Sequence, residues 1–408
     1  MTEEWSKGMK LNIGVVYGSR TCEHDVSIIS ALQAAQALNK DSYDVTYIYI
    51  GREGSWYTGS ALADIKFYEN FDPSRVTRVL PAAADGKLAL YHLPQKKKLF
   101  GGGAAAERVA LLDVVMPVVH GLNGEDGTLQ GLLEMFNVPY TSAGVMGSAV
   151  GMDKITMKLL FRGCGFPVID GIWFDRGRWS RERDEVMDEA EEKLGYPLIV
   201  KPANLGSSIG INIAHDRDRL EDAIETAVAY DHRVLVEKAV SPLREVNCSV
   251  LGYGDHIETS ELEMPVTREE MLTYEGKYTQ NGGAKGSSGM ASLARIVPAP
   301  IDEKTAETIR DLAVRAFHAM DLKGVVRIDF ILDEAGNVFI NEANTIPGSL
   351  AFYLWEPKGI SFSALLDGMV ECAFSAWADR KASVFSHDST LLANIVHGSK
   401  GAKGKLSH

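Results

Sequence analysis

The chain has 408 residues, too many for one ordinary hydrophobic core, so two or three domains are expected. Its composition, 45% hydrophobic and 24% charged, is that of a folded globular protein, and its net charge of -13 argues against a nucleic-acid partner, which would need a basic face. The four cysteines show no metal-type spacing, which predicts reduced thiols. Neither an apolar leader nor a run of about 18 apolar residues is present, which predicts a cytoplasmic protein with no membrane partner.

The first part of the chain has the pattern of an α/β domain. Residues 11–17 form a buried-strand run, and a helical pattern follows at 25–38. Residues 43–50 alternate as a strand does, and 111–119 are almost wholly apolar, which predicts one more strand. Strands separated by helices indicate a parallel sheet with both faces covered. Residues 51–110 show no clear period, and the turn after the first strand lacks the GxGxxG fingerprint of a dinucleotide-dependent oxidoreductase.

A second segment mixes helices and strands and carries a phosphate-binding pattern. The predicted helices cover 147–163, 180–194 and 218–230, and the predicted strands cover 197–202, 209–213 and 234–238. Ser180 is expected to cap its helix. Lys201 lies near the end of its strand and is followed by a glycine-serine turn, whose backbone N–H groups could cradle phosphates while the lysine supplies a charge. The stretch lacks a Walker sequence, and a simple hairpin explains it about as well.

The strand at 234–238 ends in Glu237 and Lys238 and leads into a linker. Its backbone groups could meet an adenine edge, with Glu237 accepting the adenine amino group and Glu245 reaching the ribose hydroxyls. Taken alone, each glutamate is better explained as a surface charge.

Residues 325–343 predict two antiparallel strands divided by a turn, and they carry the most informative polar groups. The pairing would bring Asp329, Glu342 and Asn344 to one end of a sheet. Two carboxylates and an amide oxygen form a hard ligand set that suits Mg²⁺ and its bound phosphates. Arg327 shares the strand face of Asp329 and could stabilise a phosphoryl group or an oxyanion. The alternative is a solvated hairpin with ordinary surface charges.

Taken together, these pieces resemble the D-alanine–D-alanine ligase family of the ATP-grasp superfamily, from about residue 11 to residue 373. The motifs that carry the resemblance follow the family's order: GSRTCEHDVS at 18–27, HGLNGEDGTLQG at 120–131, PYTSAGVMGSAVGMDK at 139–154, residues 199–210, YEGKY at 274–278, Arg327-Ile328-Asp329, and EANTIPG at 342–348.

The resemblance implies an α/β protein with the three-domain ATP-grasp architecture. Residues 1–143 would form an N-terminal Rossmann-like domain with a doubly wound parallel sheet, and 144–238 a central α+β subdomain. Residues 239–382 would form a C-terminal α+β subdomain with a lid loop and the metal site, followed by a flexible tail at 383–408. ATP would bind between the last two domains, with two Mg²⁺ or Mn²⁺ ions, and a homodimer is implied.

The resemblance also implies roles around the amino-acid substrates. Glu23 resembles the acid that receives the first substrate's ammonium group. Ser207 and Tyr278 resemble the hydroxyl partners that link this acid to the lid. Arg327 and the Gly348 N–H fall at the oxyanion positions.

The implied ATP-binding residues are Lys154, Lys201, Ser207, Glu237, Lys238, Glu245 and Lys277. Lys154 and Lys201 resemble the phosphate lysines, and Lys277 resembles the lid lysine over the γ-phosphate. Glu237 and Glu245 fall at the adenine and ribose positions. The implied metal ligands are Asp329, Glu342 and Asn344.

The wall of the second-substrate subsite departs from the family pattern. Relatives have a Thr/Ser-rich stretch here, one serine of which holds the second substrate's carboxylate. Tyr353 occupies that serine's place, with Leu354 beside it, so both are candidate substrate contacts. The alternative is a hydrophobic patch that packs on the N-terminal domain. His120 resembles a histidine near the substrate, and a structural role explains it equally well.

The implied function is ATP-dependent ligation of two D-amino acids through an acyl phosphate, with D-alanine and D-alanine as the expected pair in peptidoglycan precursor synthesis. A different second substrate, such as D-serine, D-lactate or a bulkier amine, is the same-fold alternative, and Tyr278 argues against D-lactate. A non-catalytic ATP-binding regulatory protein is the alternative from another class.

Overall fold

The computed structural model describes residues 10–93, 107–265 and 295–384. The predicted lid residues Lys277 and Tyr278, and nearly all of the predicted tail, lie outside these ranges. The helices are α1 (His24–Ala37), α2 (Thr128–Met135), α3 (Val145–Met152), α4 (Lys154–Gly163), α5 (Arg176–Arg181), α6 (Arg183–Leu194), α7 (Arg217–Tyr230), α8 (Glu303–Ala319) and α9 (Phe362–Ala382). The strands are β1 (Leu11–Gly18), β2 (Tyr43–Ile50), β3 (Trp56–Thr58), β4 (Thr77–Ala84), β5 (Lys87–His92), β6 (Arg108–Leu112), β7 (Val114–Pro117), β8 (Gly171–Asp175), β9 (Leu198–Pro202), β10 (Asn212–Ala214), β11 (Arg233–Lys238), β12 (Arg244–Tyr253), β13 (His256–Pro265), β14 (Arg295–Ile296), β15 (Gly324–Leu332) and β16 (Val338–Asn344).

The N-terminal sheet has a parallel centre, as predicted for an α/β domain. Its strand order is β6-β5-β4-β3-β2-β1-β7. β1 pairs in parallel with both β2 and β7, whereas β2 through β6 pair with one another antiparallel. Residues 51–110, whose sequence shows no clear period, therefore supply an antiparallel extension of the sheet.

The prediction of one strand at 111–119 is wrong, because the chain changes partners at Asp113. β6 pairs with β5, and β7 pairs with β1. Between them the Asp113 carboxylate accepts a hydrogen bond from the Asn12 N–H at 2.8 Å and pairs with Lys87 at 2.6 Å. A single polar residue thus ends one strand and starts the next.

Two predicted helix boundaries are also wrong. The helix predicted at 147–163 is divided into α3 and α4 at Asp153, whose side chain accepts a hydrogen bond from the Thr156 N–H and so caps α4. Ser180 does not cap a helix. It lies inside α5, and its hydroxyl donates to the Arg176 carbonyl one turn back.

The other two sheets are antiparallel. One has the order β10-β9-β11-β8 and the other β14-β13-β12-β15-β16. The predicted pairing of β15 with β16 is confirmed, with Asp329 opposite Glu342 and Arg327 opposite Asn344. The three sheets agree with three domains, and the boundaries at 143, 238 and 382 stay predictions.

The segment after Gly348 shares a core with the N-terminal sheet. One hydrophobic cluster contains Tyr17 of β1, Ile28 of α1, Leu366 of α9 and the fully buried Trp355. Of the helices in the described part of the chain, none combines the length and apolar character needed to cross a bilayer.

β15 begins where the chain passes very close to another backbone. Gly324 has φ +73°, and a Cβ atom placed on it would lie 2.1 Å from the carbonyl oxygen of Thr141. Only glycine combines this left-handed conformation with such an approach. Gly324 therefore positions the strand that carries Arg327 and Asp329 against the segment after β7.

We expect Gly324→Ala to destabilise the protein by about 2 to 4 kcal/mol, since it adds a steric clash to left-handed strain. Gly336→Ala is the matched control, because Gly336 has φ +83° but nothing within 4 Å of its Cβ position. The control should lose only the free energy of unfolding that the left-handed strain costs, about 1 kcal/mol. Urea unfolding of both variants measures the difference, and equal losses would show that the approach to Thr141 is unimportant.

Candidate active site

A cavity of about 50 Å³ lies between the segments that follow the N-terminal strands, the turn after β9, the middle of β15 and the end of β16. It collects most of the residues predicted to act on the amino acids. Its polar lining consists of Glu23, His120, Glu125, Ser207, Arg327, Glu342 and Asn344, with Gly206 and Gly348 contributing backbone. Of these, Glu125 was not predicted.

Glu23 and Ser207 meet across the cavity, as predicted. Glu23 precedes α1 and is buried, and the Ser207 hydroxyl donates to its carboxylate. Ser207 follows β9 in a turn where its own φ is +55°, and a Cβ atom on the preceding Gly206 would lie 2.7 Å from the Glu23 carboxylate. The glycine therefore lets the turn come close enough for the hydroxyl to reach Glu23.

His120 is buried, and both of its ring nitrogens have partners. Nδ1 lies 2.8 Å from the Ile346 carbonyl, which can only accept, so Nδ1 carries the proton. Nε2 lies 2.8 Å from the Ser30 hydroxyl. In a neutral imidazole that carries its proton on Nδ1, Nε2 can only accept, so the Ser30 hydroxyl donates to Nε2 while it accepts from the Ser349 N–H. Burial lowers the pKa of His120, which agrees with a neutral imidazole.

Glu125 holds two backbone amides from different parts of the chain. One carboxylate oxygen accepts from the Gly121 N–H and the other from the Ile346 N–H, both at 2.9 Å. Burial raises the pKa of Glu125 to about 8, and the Glu23 carboxylate adds to this rise. The only sequence signal for Glu125 is its place in the HGLNGEDG motif.

The predicted metal ligands lie side by side, with Asp329 inside β15 and with Glu342 and Asn344 in the last three residues of β16. The Arg327 guanidinium makes two hydrogen bonds of 2.7 Å with Asp329, and the Asn344 amide donates to the same carboxylate at 2.9 Å. Glu342 lies 3.5 Å from the Lys154 ammonium group. Among the described residues, no group of three or more His, Cys, Asp or Glu side chains could hold a metal ion.

These residues nevertheless fit a divalent metal by their chemistry. Asp329 and Glu342 are opposite each other in the strand register, and the Asn344 amide touches Asp329, so three hard oxygen donors lie together on this strand pair. Each carboxylate already faces a cationic side chain, which shows that the position attracts positive charge.

The predicted phosphate lysines belong to the central segment, Lys154 to the start of α4 and Lys201 to β9. Lys154 begins α4 and donates to the Leu205 carbonyl at 2.7 Å, just before the glycine-serine turn. Lys201 of β9 pairs with Glu237 at 2.7 Å. Lys158, which was not predicted, pairs with the other oxygen of Glu237 at 2.5 Å. It follows Lys154 by four residues and so lies on the same helix face, a signal that could have found it.

Glu237 therefore has a different environment from the one predicted. Its carboxylate is fully buried between two ammonium groups, so an adenine amino group would have to compete with two cations. Burial alone would raise the pKa of Glu237, but the two lysines outweigh burial and lower it. Burial also lowers the pKa of Lys158.

Apolar side chains also lie beside Glu237. Beside it lies a second, smaller cavity of about 20 Å³, lined by apolar groups such as Ile155, Leu235 and Trp173. The Lys238 ammonium donates to the Gly195 and Tyr196 carbonyls at 3.0 and 2.7 Å. Glu245 lies near the start of β12, opposite Ile331. The ATP-binding roles of these residues stay predictions.

Tyr353 and Leu354 turn away from the cavity. Leu354 is fully buried in the core shared with the N-terminal sheet, and a substrate contact for it stays a prediction. The buried Tyr353 hydroxyl donates to Glu263 at 3.3 Å, and the Arg295 guanidinium lies 3.7 Å from its ring centre. Burial, together with Glu263, raises the pKa of Tyr353 to about 12. A substrate contact for Tyr353 stays a prediction.

Comparison with known proteins identifies the family. One family model, for the D-Ala D-Ala ligase N-terminus, matches residues 12–143, and another, for the D-Ala D-Ala ligase C-terminus, matches residues 160–371. The chain belongs to the D-alanine–D-alanine ligase family. It is 38% identical over 384 residues to the D-alanine–D-alanine ligase of Thermosipho africanus, covering 93% of this chain and 98% of that protein. A D-alanine–D-alanine ligase from Acetivibrio thermocellus is 38% identical over 381 residues, 91% of this chain and 98% of that protein.

Solved structures agree. The D-alanine–D-alanine ligase from Coxiella burnetii is similar with a TM-score of 0.74 and 26% identity, covering 95% of this chain and 99% of that one. The VanG D-Ala:D-Ser ligase from Enterococcus faecalis is similar with a TM-score of 0.73 and 27% identity, covering 90% of this chain and 100% of that one. These findings confirm the predicted family, the three-domain ATP-grasp fold and an ATP-dependent ligase, which implies the use of ATP and of a divalent metal in general.

We expect Glu237→Gln to destabilise the protein by about 3 to 5 kcal/mol, because it leaves Lys158 and Lys201 as buried cations without their anion. Their pKa values would then fall below those of the unfolded chain, so the unfolded state would bind more protons and stability would recover as pH rises. Urea unfolding at about pH 7 and about pH 9 tests this sign. Glu182→Gln, which removes an exposed partner of Arg178, is the control and should cost less than about 1 kcal/mol. If Glu237→Gln lowers the free energy of unfolding by the same amount at both pH values, the argument from buried charge is wrong.

Proposed function

We propose that the protein joins D-alanine to D-alanine at the expense of ATP, making D-alanyl-D-alanine for peptidoglycan precursors. The observation that carries this proposal is the shared cavity, in which the Glu23–Ser207 pair lies together with Arg327 and Gly348. A carboxylate suits the ammonium group of an amino acid, and a guanidinium with a backbone N–H suits the oxyanion that forms at its carbonyl. Family membership supports the same reaction.

In the first half-reaction, the carboxylate of the first D-alanine attacks the γ-phosphorus of ATP, which gives an acyl phosphate and ADP. A free carboxylate is a poor electrophile, so this activation must precede amide formation. Glu23 would hold the substrate's ammonium group, and the Ser207 hydroxyl orients Glu23. Lys154 and Lys201 would attract the phosphates, and Glu237 pairs with Lys201 in its buried position.

Adenine would lie in the small cavity beside Glu237, meeting backbone groups near Lys238, with the ribose near Glu245. Lys277 and Tyr278 would close the lid over the phosphates. Asp329, Glu342 and Asn344 would hold two Mg²⁺ or Mn²⁺ ions, which when bound neutralise the phosphate charge.

In the second half-reaction, the amine of the second D-alanine attacks the acyl phosphate and inorganic phosphate leaves. Arg327 spends two of its five N–H groups on Asp329, so others are left for the oxyanion. The Gly348 N–H would be the second donor. His120 would support this region by holding the Ile346 carbonyl rather than by exchanging protons.

D-serine is the second candidate for the second substrate. The specific observation is the likeness to the VanG D-Ala:D-Ser ligase, which is 27% identical with a TM-score of 0.73. We also infer that the protein acts in the cytoplasm and that it forms a homodimer. Light scattering of the purified protein would test the homodimer.

The purified protein should release ADP and phosphate from ATP with D-alanine and not with L-alanine, because Glu23 and the oxyanion donors fix the positions of the ammonium and carboxyl groups. Phosphate release with D-alanine alone, and with D-alanine plus D-serine or D-lactate, gives the preferred pair. Mass spectrometry should identify D-alanyl-D-alanine. An enzyme that binds ATP but turns it over with no D-amino acid would refute the proposal.

Glu342→Gln should lower turnover at least about 100-fold at saturating Mg²⁺, since a metal-binding carboxylate contributes several kcal/mol to charge stabilisation. Folding should survive, because the amide keeps the size of the side chain. Glu334→Gln, in the exposed turn between β15 and β16, is the matched control and should leave turnover unchanged. A folded Glu342→Gln enzyme with near-normal turnover would exclude Glu342 as a metal ligand.

A further inference from the structure

The second half-reaction needs a group that accepts a proton. Two amino acids bring two ammonium groups to the site, and the second must lose a proton before its nitrogen has a lone pair for attack. The following inference rests on the proposed function and concerns which residue takes this proton. A candidate must face the cavity and must have an unused lone pair.

Among the described residues, three carboxylates line the cavity: Glu23, Glu125 and Glu342. Glu342 belongs to the proposed metal site, and Glu23 is paired with Ser207 and assigned to the first ammonium group. Glu125 is the carboxylate left for the second substrate. It shares the cavity with Arg327 and with Gly348, which face the carbonyl under attack.

The hydrogen bonds of Glu125 fix its position and leave it able to act. Each oxygen accepts one backbone N–H, from Gly121 and from Ile346, at 2.9 Å. A carboxylate oxygen has two acceptor sites, so each retains one. The two amides come from separate segments, which hold the carboxylate at the edge of the cavity without neutralising it.

His120, the usual type of residue for this task, has no free nitrogen. Its Nδ1 proton goes to the Ile346 carbonyl, and its Nε2 lone pair receives the Ser30 hydroxyl proton. To take a further proton, His120 would have to break the bond from Ser30. The histidine therefore holds the backbone and side chains around the cavity, whereas Glu125 can accept a proton from a substrate in the cavity.

The charges around Glu125 favour proton uptake. Glu23 and Glu342 face it from the other elements of the cavity and disfavour its ionised form, while Arg327 adds positive charge and His120 is neutral. Burial and these carboxylates raise the pKa of Glu125 to about 8, close to the operating pH that suits a general base.

We propose that Glu125 accepts the proton lost by the second substrate's ammonium group as its nitrogen attacks the acyl phosphate. The nitrogen then forms its bond to the carbonyl carbon, and the carbon–oxygen bond to phosphate breaks with its electron pair on oxygen. The departing phosphate takes the second proton of the nitrogen, which leaves a neutral amide. Glu125 returns its proton to water.

A change of nucleophile separates this role from a structural one. Hydroxylamine is largely unprotonated at neutral pH, so it can trap the acyl phosphate as D-alanine hydroxamate without a base. Glu125→Gln should lower kcat for D-alanine ligation by about 100-fold or more. Hydroxamate formation by the same variant should change less than about threefold, because acyl phosphate formation is intact.

The pH dependence gives a second readout. In the natural enzyme, kcat for ligation should rise with pH as Glu125 ionises, with the midpoint of the rise near pH 8. The rate of hydroxamate formation should not show this rise with pH. Asp126→Asn is the matched control, because Asp126 is the neighbouring carboxylate, caps the turn through the Asn123 and Thr128 N–H groups and does not line the cavity. It should leave the ratio of the two rates unchanged.

Two outcomes would overturn the inference. If Glu125→Gln lowers both rates equally, Glu125 acts only by holding the Gly121 and Ile346 peptides. If ligation is unaffected, another group takes the proton. Failure of the proposed function would look different, because the natural enzyme itself would then form neither ADP nor hydroxamate with D-alanine.

Discussion

The active site depends on the backbone of one residue, Ile346, which the N-terminal part of the chain holds from both sides. Its N–H donates to Glu125 and its carbonyl accepts from His120. Ile346 follows Asn344 by two residues and precedes Gly348 by two. Fixing the backbone of Ile346 therefore fixes both the strand end that carries a metal ligand and the turn that carries an oxyanion donor. Residues 120–125 thus set the geometry of groups that belong to another sheet.

The nucleotide side is built from buried charges that compensate one another. Glu237 is surrounded by Lys158 and Lys201, and Arg327 is matched to Asp329. Removing such charges from water is costly, and a well-packed apolar cluster would often be at least as stable. The arrangement makes sense for a protein that must receive a triphosphate and its metal. The lysines and carboxylates are held in place before the ligands bind. The charges of the phosphates and of the metal can then replace the ion-pair partners within the protein.

The sequence predicted best what depends on local pattern. The β15–β16 pair follows from two apolar runs divided by a turn, and strand alternation places Arg327 and Asp329 on one face. The contact between Glu23 and Ser207, which are 184 residues apart, was implied only by the resemblance to the family. The sequence failed where a polar residue changes the course of the chain. Asp113 and Asp153 look like ordinary polar positions in apolar runs, and only their tertiary and capping partners show that they end elements. Glu125 and Lys158 were missed for the same reason, since their importance comes from partners far along the chain.

The wall that departs from the family pattern has its own physical explanation. Residues 349–351 all have φ between +52° and +53°, a left-handed turn that costs L-residues about 1 to 2 kcal/mol each. Contacts with α1 offset this cost, because the Ser349 N–H donates to Ser30 and the Ser349 hydroxyl donates to Gln33. The turn directs the following aromatic and aliphatic side chains into the core of the N-terminal domain. Tyr353 then meets a buried ion pair instead of the cavity, which favours packing over substrate contact. The groups that face the cavity around Gly348 would then select the second substrate. D-alanine and D-serine differ by one hydroxyl, which these groups would have to distinguish.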